Sequence, residues 1–219
     1  MYLMNTRPNI CFDVNTLSQY LFKPRHVHLI VATHVMRYLK GNIDFGLYYD
    51  RDHDYRLYGF TDSYWAGSVT DNKSTSCGCY CLGSTMITWF SKKQSIVSLS
   101  MAEVEYIAAF STSYESIWLQ KMMSSLFDMD LDTTIVICDN QSCINMTAKP
   151  FFHDKSNHIE IQYFYIRDTV QKGAINFQYV STDEQVVDVL TKPLSRVKFE
   201  YLLENLGVVR KDFPHKEEH

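Results

Sequence analysis

The 219-residue chain has no apolar run that could cross a bilayer. A membrane-spanning helix needs roughly 20 consecutive apolar residues. The N-terminus, MYLMNTRPNI, also lacks the basic stretch and the following apolar stretch of a secretory signal. We therefore expect an intracellular protein.

The chain also has no excess of basic over acidic residues. The chain holds 21 Lys and Arg against 25 Asp and Glu, which gives a formal net charge of -4, and its pI is about 6.0. A free-standing nucleic-acid binder of high affinity neutralises phosphates with clustered Lys and Arg. The composition therefore argues against that class unless a partner supplies the charge.

Cysteine is present, but not in the pattern of a secreted disulfide scaffold. A chain of this length can bury a hydrophobic core without such cross-links. We therefore expect free thiols and a reducing compartment. The six cysteines are Cys11, Cys77, Cys79, Cys81, Cys138 and Cys143.

Three segments can be separated along the chain. Apolar residues before residue 40 recur at helical spacing and predict two helices, with Pro24 between them. The polar link at residues 51–54 marks a domain boundary. We divide the chain into a helical extension (1–54), a main domain (55–192), and a C-terminal helix (193–219) with a charged tail from Arg210 that we expect to be solvated.

The main domain alternates between strand and helix patterns. The predicted strands are 57–61, 77–82, 86–90, 134–138 and 174–180, and the predicted helices are 101–127, 141–149, 159–172, 182–190 and 197–206. Three strands, a helix, a strand, helices and a last strand indicate an α/β fold. The expected architecture is a mixed five-stranded sheet with crossover helices, preceded by a short helical extension.

Acidic residues fall at four separate places in this pattern. Asp62 ends the first strand, Asp139 follows the fourth, Glu103 or Glu105 lies in the long helix, and Asp188 lies in a later helix. If the first and fourth strands are neighbours, Asp62 and Asp139 lie side by side. Two carboxylates at so short a distance require a counter-charge, and oxygen ligands suit Mg²⁺ or Mn²⁺. The alternative is an α/β domain with ordinary capping and surface acids.

A pair of such ions about 3.5–4 Å apart can activate water and stabilise the leaving oxygen in phosphodiester hydrolysis. Glu103 and Glu105 point roughly 200° apart on a helix, so they cannot both be ligands. We expect one of them to be a surface residue.

Several ordered blocks of the chain resemble the ribonuclease H (RNase H) region of copia-type LTR retrotransposon Pol polyproteins. Two early blocks, 7–10 (RPNI) and 37–41 (RYLKG), resemble the end of the preceding reverse transcriptase segment. The RNase H blocks are 61–67 (TDSYWAG), 71–76 (DNKSTS), 89–94 (WFSKKQ), 102–109 (AEVEYIAA), 138–142 (CDNQS) and 188–194 (DVLTKPL).

The resemblance implies an RNase H-like fold and hydrolysis of the RNA strand of an RNA–DNA hybrid. It carries over Asp62, Glu105, Asp139 and Asp188 as catalytic residues and as ligands of two Mg²⁺ or Mn²⁺ ions. Glu105 is preferred to Glu103 because Tyr106 and small residues follow it, as in the family. Residues 1–54 then correspond to the end of the reverse transcriptase.

The resemblance also implies partners and a location. The partners are the RNA–DNA hybrid and the reverse transcriptase part of the same polyprotein, without a membrane. The location is the cytoplasm, a virus-like particle if the element is active, or the nucleus. Basic and polar side chains beside the expected site are candidate substrate-binding residues: Lys92, Lys93, Asn140 and Ser142.

Two departures and two alternatives accompany this interpretation. The loop 180–184 has no histidine before the last aspartate, which implies slower turnover, and no Tyr-x-Asp-Asp polymerase motif is present. A decayed or domesticated fragment could keep the fold without turnover and act at most as a binding or interaction module. An integrase-type transferase ranks last, because its glutamate comes late in the chain, whereas Glu105 lies between the first two aspartates.

Overall fold

The computed structural model describes residues 2–49, 56–68, 71–148 and 157–210. The elements in chain order are α1 (Tyr2–Thr6), a 3-10 turn (Pro8–Ile10), α2 (Cys11–Ser18), α3 (His26–Gly41), β1 (Phe45–Leu47), β2 (Leu57–Tyr64), β3 (Thr75–Leu82), β4 (Thr85–Lys93), α4 (Met101–Phe127), β5 (Thr134–Cys138), α5 (Gln141–Ala148), α6 (Asn157–Gln171), β6 (Ile175–Tyr179), a second 3-10 turn (Thr182–Glu184), α7 (Asp188–Thr191), α8 (Arg196–Asn205) and β7 (Val208–Arg210).

Five strands form the central sheet in the order β4-β3-β2-β5-β6. The first three pair antiparallel as a meander, whereas β2 pairs parallel with β5, and β5 with β6. Parallel neighbours need crossover connections, and helices supply them here. The expected RNase H-like mixed sheet with crossover helices is therefore confirmed.

Buried hydrophobic residues cover both faces of this sheet. On one face, α4, α5 and α6 pack on β5 and β6 around Tyr106, Val136 and Tyr163. On the other face, β3 contributes alternate cysteines, and α7 and α8 contribute residues such as Leu190 and Leu202. The alternation along β3 follows from the two-residue period of a strand. All six cysteines are unpaired and buried.

The long helix α4 begins after the N-cap residue Ser100. The Ser100 side chain accepts a hydrogen bond from the Glu103 amide (3.3 Å), and the Glu103 carboxylate accepts one from the Leu99 amide (2.8 Å). The first contact satisfies an amide that the first helical turn leaves without a partner, and the second ties the Glu103 side chain to the residue before the N-cap. Glu103 is only 6% exposed. The expectation that one of the two glutamates lies at the surface is therefore wrong, because Glu103 is buried as a cap.

Residues of both terminal segments pack in the hydrophobic cluster that also contains the β3 cysteines. The β1 and β7 strands pair antiparallel, and Cys11 of α2 packs in one cluster with Leu203 of α8 and Cys79 of β3. The division into 1–54, 55–192 and 193–219 stays a prediction. Strand β7 was not predicted, because its three residues follow directly after a helix stop at Gly207. The rest of the expected tail, residues 211–219, lies outside the described residues.

Several predicted boundaries are corrected by the structure. The predicted helix 182–190 is two short pieces, the 3-10 turn and α7, because Gln185 between them has an extended backbone (φ -70°, ψ 102°). Strand β4 continues to Lys93, so Lys92 and Lys93 belong to the strand and not to the loop after it. Among the described residues, we find no helix with the length and apolarity of a membrane span.

Close approach of α4 to β3 depends on Gly78. A Cβ atom at this position would lie 2.5 Å from the Phe90 ring and 2.9 Å from Oγ1 of Thr112 in α4. We expect Gly78→Ala to lower the free energy of unfolding by about 1–3 kcal/mol, because both neighbours must shift. Urea unfolding followed by circular dichroism measures the change.

Gly46→Ala is the matched control, because nothing lies within 4 Å of a Cβ atom placed there. It should change the free energy of unfolding by no more than about 0.5 kcal/mol. Equal effects of the two substitutions would contradict the packing argument.

Candidate active site

Asp62 and Asp139 are brought together by the register of β2 and β5. The last paired residues of these parallel strands are Thr61 and Cys138. Asp62 is the next residue in β2, and Asp139 follows directly after β5, so the two lie side by side at the carboxyl ends of these parallel strands. Asp62 is only 4% exposed, and Asp139 is partly buried.

Glu105 reaches this edge from α4, which packs across β2 and β3. Its side chain is 5% exposed, and Oε1 accepts a hydrogen bond of 2.7 Å from the Ser63 hydroxyl. Within the described residues, Oε2 of Glu105 is buried without a hydrogen-bond partner. Glu105, Cys138 and Asp139 each offer a ligand atom, and these atoms lie within 4.8 Å of one another.

Asp188 completes the group from the opposite face of the sheet. It begins the four-residue helix α7, and its side chain is fully buried. The side-chain amide of Gln185 donates a 3.0 Å hydrogen bond from Nε2 to the Thr61 carbonyl, which fixes the segment before α7 to β2. Two ammonium groups face Asp188: Nζ of Lys192 lies 2.8 Å from Oδ1, and Nζ of Lys198 lies 3.3 Å from Oδ2.

Burial and like charge act together on these carboxyl groups. Burial raises the pKa of Asp62 above its ordinary value, and the charges of Asp188 and Asp139 raise it further, while a Thr191 hydrogen bond and the Lys192 charge lower it. Burial also raises the pKa of Glu105, and the charges of Asp62 and Asp139 add to that effect. Such shifts mean that the ionised cluster needs a counter-charge.

The donor set fits divalent cations. Carboxylate oxygens are the ligands that Mg²⁺ and Mn²⁺ prefer. The buried oxygen of Glu105 that lacks a partner would gain one from a bound ion. Of the three clustered donors, the carboxylates of Glu105 and Asp139 therefore suit such an ion, whereas the soft Cys138 thiol does not. Asp62 interacts with both carboxyl groups through its charge, and Asp188 interacts with Asp62.

Comparison with known proteins gives a consistent family. No protein-family model matches the chain. The retrovirus-related Pol polyprotein from transposon RE2 of Arabidopsis thaliana is 37% identical over 209 residues, which cover 95% of this chain and 14% of that protein. The corresponding polyprotein from transposon TNT 1-94 of Nicotiana tabacum is 34% identical over 209 residues, 95% of this chain and 16% of that protein.

The chain belongs to the copia-type Pol polyproteins. Among solved structures, the N-terminal RNase H domain of a Mycobacterium tuberculosis protein is similar with a TM-score of 0.46 and 10% identity, covering 68% of this chain and 96% of that one. The strand order and directions, not this likeness, carry the fold assignment. The chain spans only 14% of the length of the RE2 polyprotein.

The candidate substrate-binding residues of this copia-type chain lie in different settings. Lys92 and Ser142 are exposed. Asn140 caps α5, since its Oδ1 accepts a hydrogen bond from the Cys143 amide at 2.9 Å. Lys93 forms an ion pair of 2.9 Å with Asp71. Hydrogen bonds from Ser68 and Lys93 lower the pKa of Asp71 to about 2. The ammonium group of Lys93 is therefore engaged by the loop before β3.

Sequence reasoning missed several residues around the site. Ser63 and Gln185 position groups of the site through hydrogen bonds, and nothing in the sequence distinguishes them from other polar residues. Lys192 could have been found, because it follows Asp188 by four residues, the spacing at which helical side chains meet. Lys198 comes from α8, and its approach depends on tertiary packing.

The raised pKa values predict how stability depends on pH when no divalent ion is bound. Below the ordinary carboxyl pKa, Asp62 and Glu105 are protonated in both the folded and the unfolded protein, and the folded protein has its full stability. As pH rises, the unfolded chain loses these protons first, so the free energy of unfolding falls. We expect the melting temperature in EDTA to decrease from about pH 5 to about pH 8. Thermal melts followed by circular dichroism measure it.

Glu105→Gln should flatten this dependence, because glutamine stays neutral over the whole range. A wild-type melting temperature that rises between these pH values would contradict the assignment. So would a Glu105→Gln protein with the wild-type slope.

Proposed function

We propose that this chain hydrolyses the RNA strand of RNA–DNA hybrids with two Mg²⁺ or Mn²⁺ ions, as the RNase H part of a retrotransposon Pol polyprotein. The observation that carries the proposal is the cluster of Glu105 and Asp139, whose ligand atoms lie within 4.8 Å of each other and of the Cys138 sulfur. A buried Glu105 oxygen there has no partner among the described residues, and the charge of Asp62 acts on both carboxyl groups. Asp188 adjoins them from α7. The substrate follows from the family to which the chain belongs.

Each carboxylate has a distinct role in this proposal. Asp62 and Asp139 would contribute to both ion sites, Glu105 to one, and Asp188 to the other. Bound ions would supply an activated water and charge stabilisation for the leaving oxygen. The hybrid itself would be held by backbone contacts, for which the exposed Lys92 and Ser142 remain candidates.

The surrounding residues prepare the site. Ser63 donates to Glu105 and thereby fixes one carboxylate oxygen, which leaves the other directed at the cluster. Gln185 bonds to the Thr61 carbonyl and thereby holds the segment before α7, which carries Asp188, against β2. Because burial favours the protonated forms of Asp62 and Glu105, ion binding would release protons, and activity should rise with pH until these two carboxyl groups are ionised.

The test is cleavage of a labelled RNA–DNA hybrid with and without Mg²⁺. Asp139→Asn and Glu105→Gln should each lower the rate at least about 100-fold, since each removes a charged ligand worth several kcal/mol. Glu103→Gln is the matched control: it makes the same change two residues away in α4, at a carboxylate that caps the helix instead. It should cost stability but keep activity.

Equal product from wild type and Asp139→Asn would contradict the proposal, as would equal cleavage of hybrid and of double-stranded DNA. Hybrid binding without any cleavage, in a protein that melts cooperatively, would instead support the decayed fragment that acts as a binding module.

A further inference from the structure

Asp188 is held between two lysines that the proposed chemistry does not use. Lys192 lies one helical turn after it, with Nζ 2.8 Å from Oδ1. Lys198 reaches over from α8, with Nζ 3.3 Å from Oδ2 and 3.6 Å from Asp183. The Asp188 side chain is fully buried, whereas the two lysines are about one-third exposed. One cation therefore lies on each oxygen of a buried carboxylate.

The Lys192 charge also acts beyond this ion pair. It interacts with Asp62 and Asp139 as well as with Asp188. These are three of the four carboxylates assigned to the ions. A divalent cation and the Lys192 ammonium would thus be attracted to the same group of oxygens. Because the two cations repel each other, they cannot both lie close to Oδ1 of Asp188.

An ordinary surface ion pair would not explain this arrangement. Lys172 and Asp168 form such a pair, also four residues apart at the end of a helix, with Nζ 2.6 Å from Oδ2 and both side chains more than half exposed. Exposed pairs contribute little to stability. A buried carboxylate without a cation is costly, and removing its partner leaves an uncompensated charge.

We propose that Lys192 is a built-in counter-cation that competes with the divalent ions for Asp188. When no ion is bound, its ammonium neutralises the carboxylate and holds α7 in place. Ion binding at Asp188 then requires the ammonium to move away, so the lysine sets the ion concentration at which the site fills. Lys192 is a positioning residue that acts through Asp188, and the inference rests on the proposed function.

The test measures ion binding and stability separately from turnover. Mn²⁺ binding is followed by loss of the electron paramagnetic resonance signal of the free ion, at constant ionic strength. Melting temperatures are recorded in EDTA and in saturating Mn²⁺. Lys192→Met should bind Mn²⁺ about tenfold more tightly, because one competing charge is gone. Its melting temperature in EDTA should fall by about 5 °C, and Mn²⁺ should recover most of that loss.

Two variants act as controls. Lys192→Arg keeps the charge and should restore the wild-type affinity to within about threefold. Lys172→Met removes the exposed pair with the same spacing and should change neither quantity.

Opposite results separate this inference from the proposed function. If Lys192→Met loses equal stability with and without Mn²⁺ and keeps the wild-type affinity, Lys192 is only a structural ion pair and the inference is overturned. If the wild-type protein itself binds no Mn²⁺ and gains no stability from it, the proposed metal-dependent function fails first.

Discussion

The parallel pairing of β2 with β5 is the constraint on which the candidate site depends. Its register ends with Thr61 opposite Cys138, which places Asp62 next to Asp139. Side chains alternate along a strand: Asp62 lies opposite Cys77, and the next residue, Ser63, bonds to Glu105. A shift by one residue would exchange the faces on which Asp62 and Ser63 lie. The antiparallel pairing of β2 with β3, which puts Asp62 opposite Cys77, fixes the same register from the other side. The two pairings together determine where the carboxylates meet.

Bringing four carboxylates to one buried place opposes folding, and the chain offsets this in three ways. The raised pKa values of Asp62 and Glu105 allow protons to neutralise them. A hydrogen bond from Ser63 stabilises Glu105. Lys192 lies against Asp188. In the proposed function, a divalent cation would replace the protons and the Lys192 ammonium, whereas the Ser63 hydrogen bond would stay. Such opposition between stability and a functional site is common in proteins.

Elements that form by local rules could be predicted from the sequence. The apolar, β-branched strand β5 and the long helix α4 were predicted with the bounds that the structure has, and Asp139 was expected just beyond β5. Tertiary contacts explain the failures. Glu103 is buried because it caps α4 beneath the Leu99 loop. Residues 182–190 do not form one helix, because the Gln185 side chain bonds to the Thr61 carbonyl and the backbone is extended there. Neither contact leaves a periodic signal.

The C-terminal helix contributes to the candidate site from outside the predicted main domain. Lys198 can face Asp188 only because α8 is fixed on the sheet, and α8 is fixed by Leu202 and Leu203, which pack in the same core as β3. The next turn is anchored too, since the Met86 amide donates to the Leu206 carbonyl. One of the two positive charges beside Asp188 therefore comes from Lys198, whose position depends on the packing of residues after 192. The electrostatic balance of the site depends on the C-terminal segment as much as on the strands that carry its aspartates.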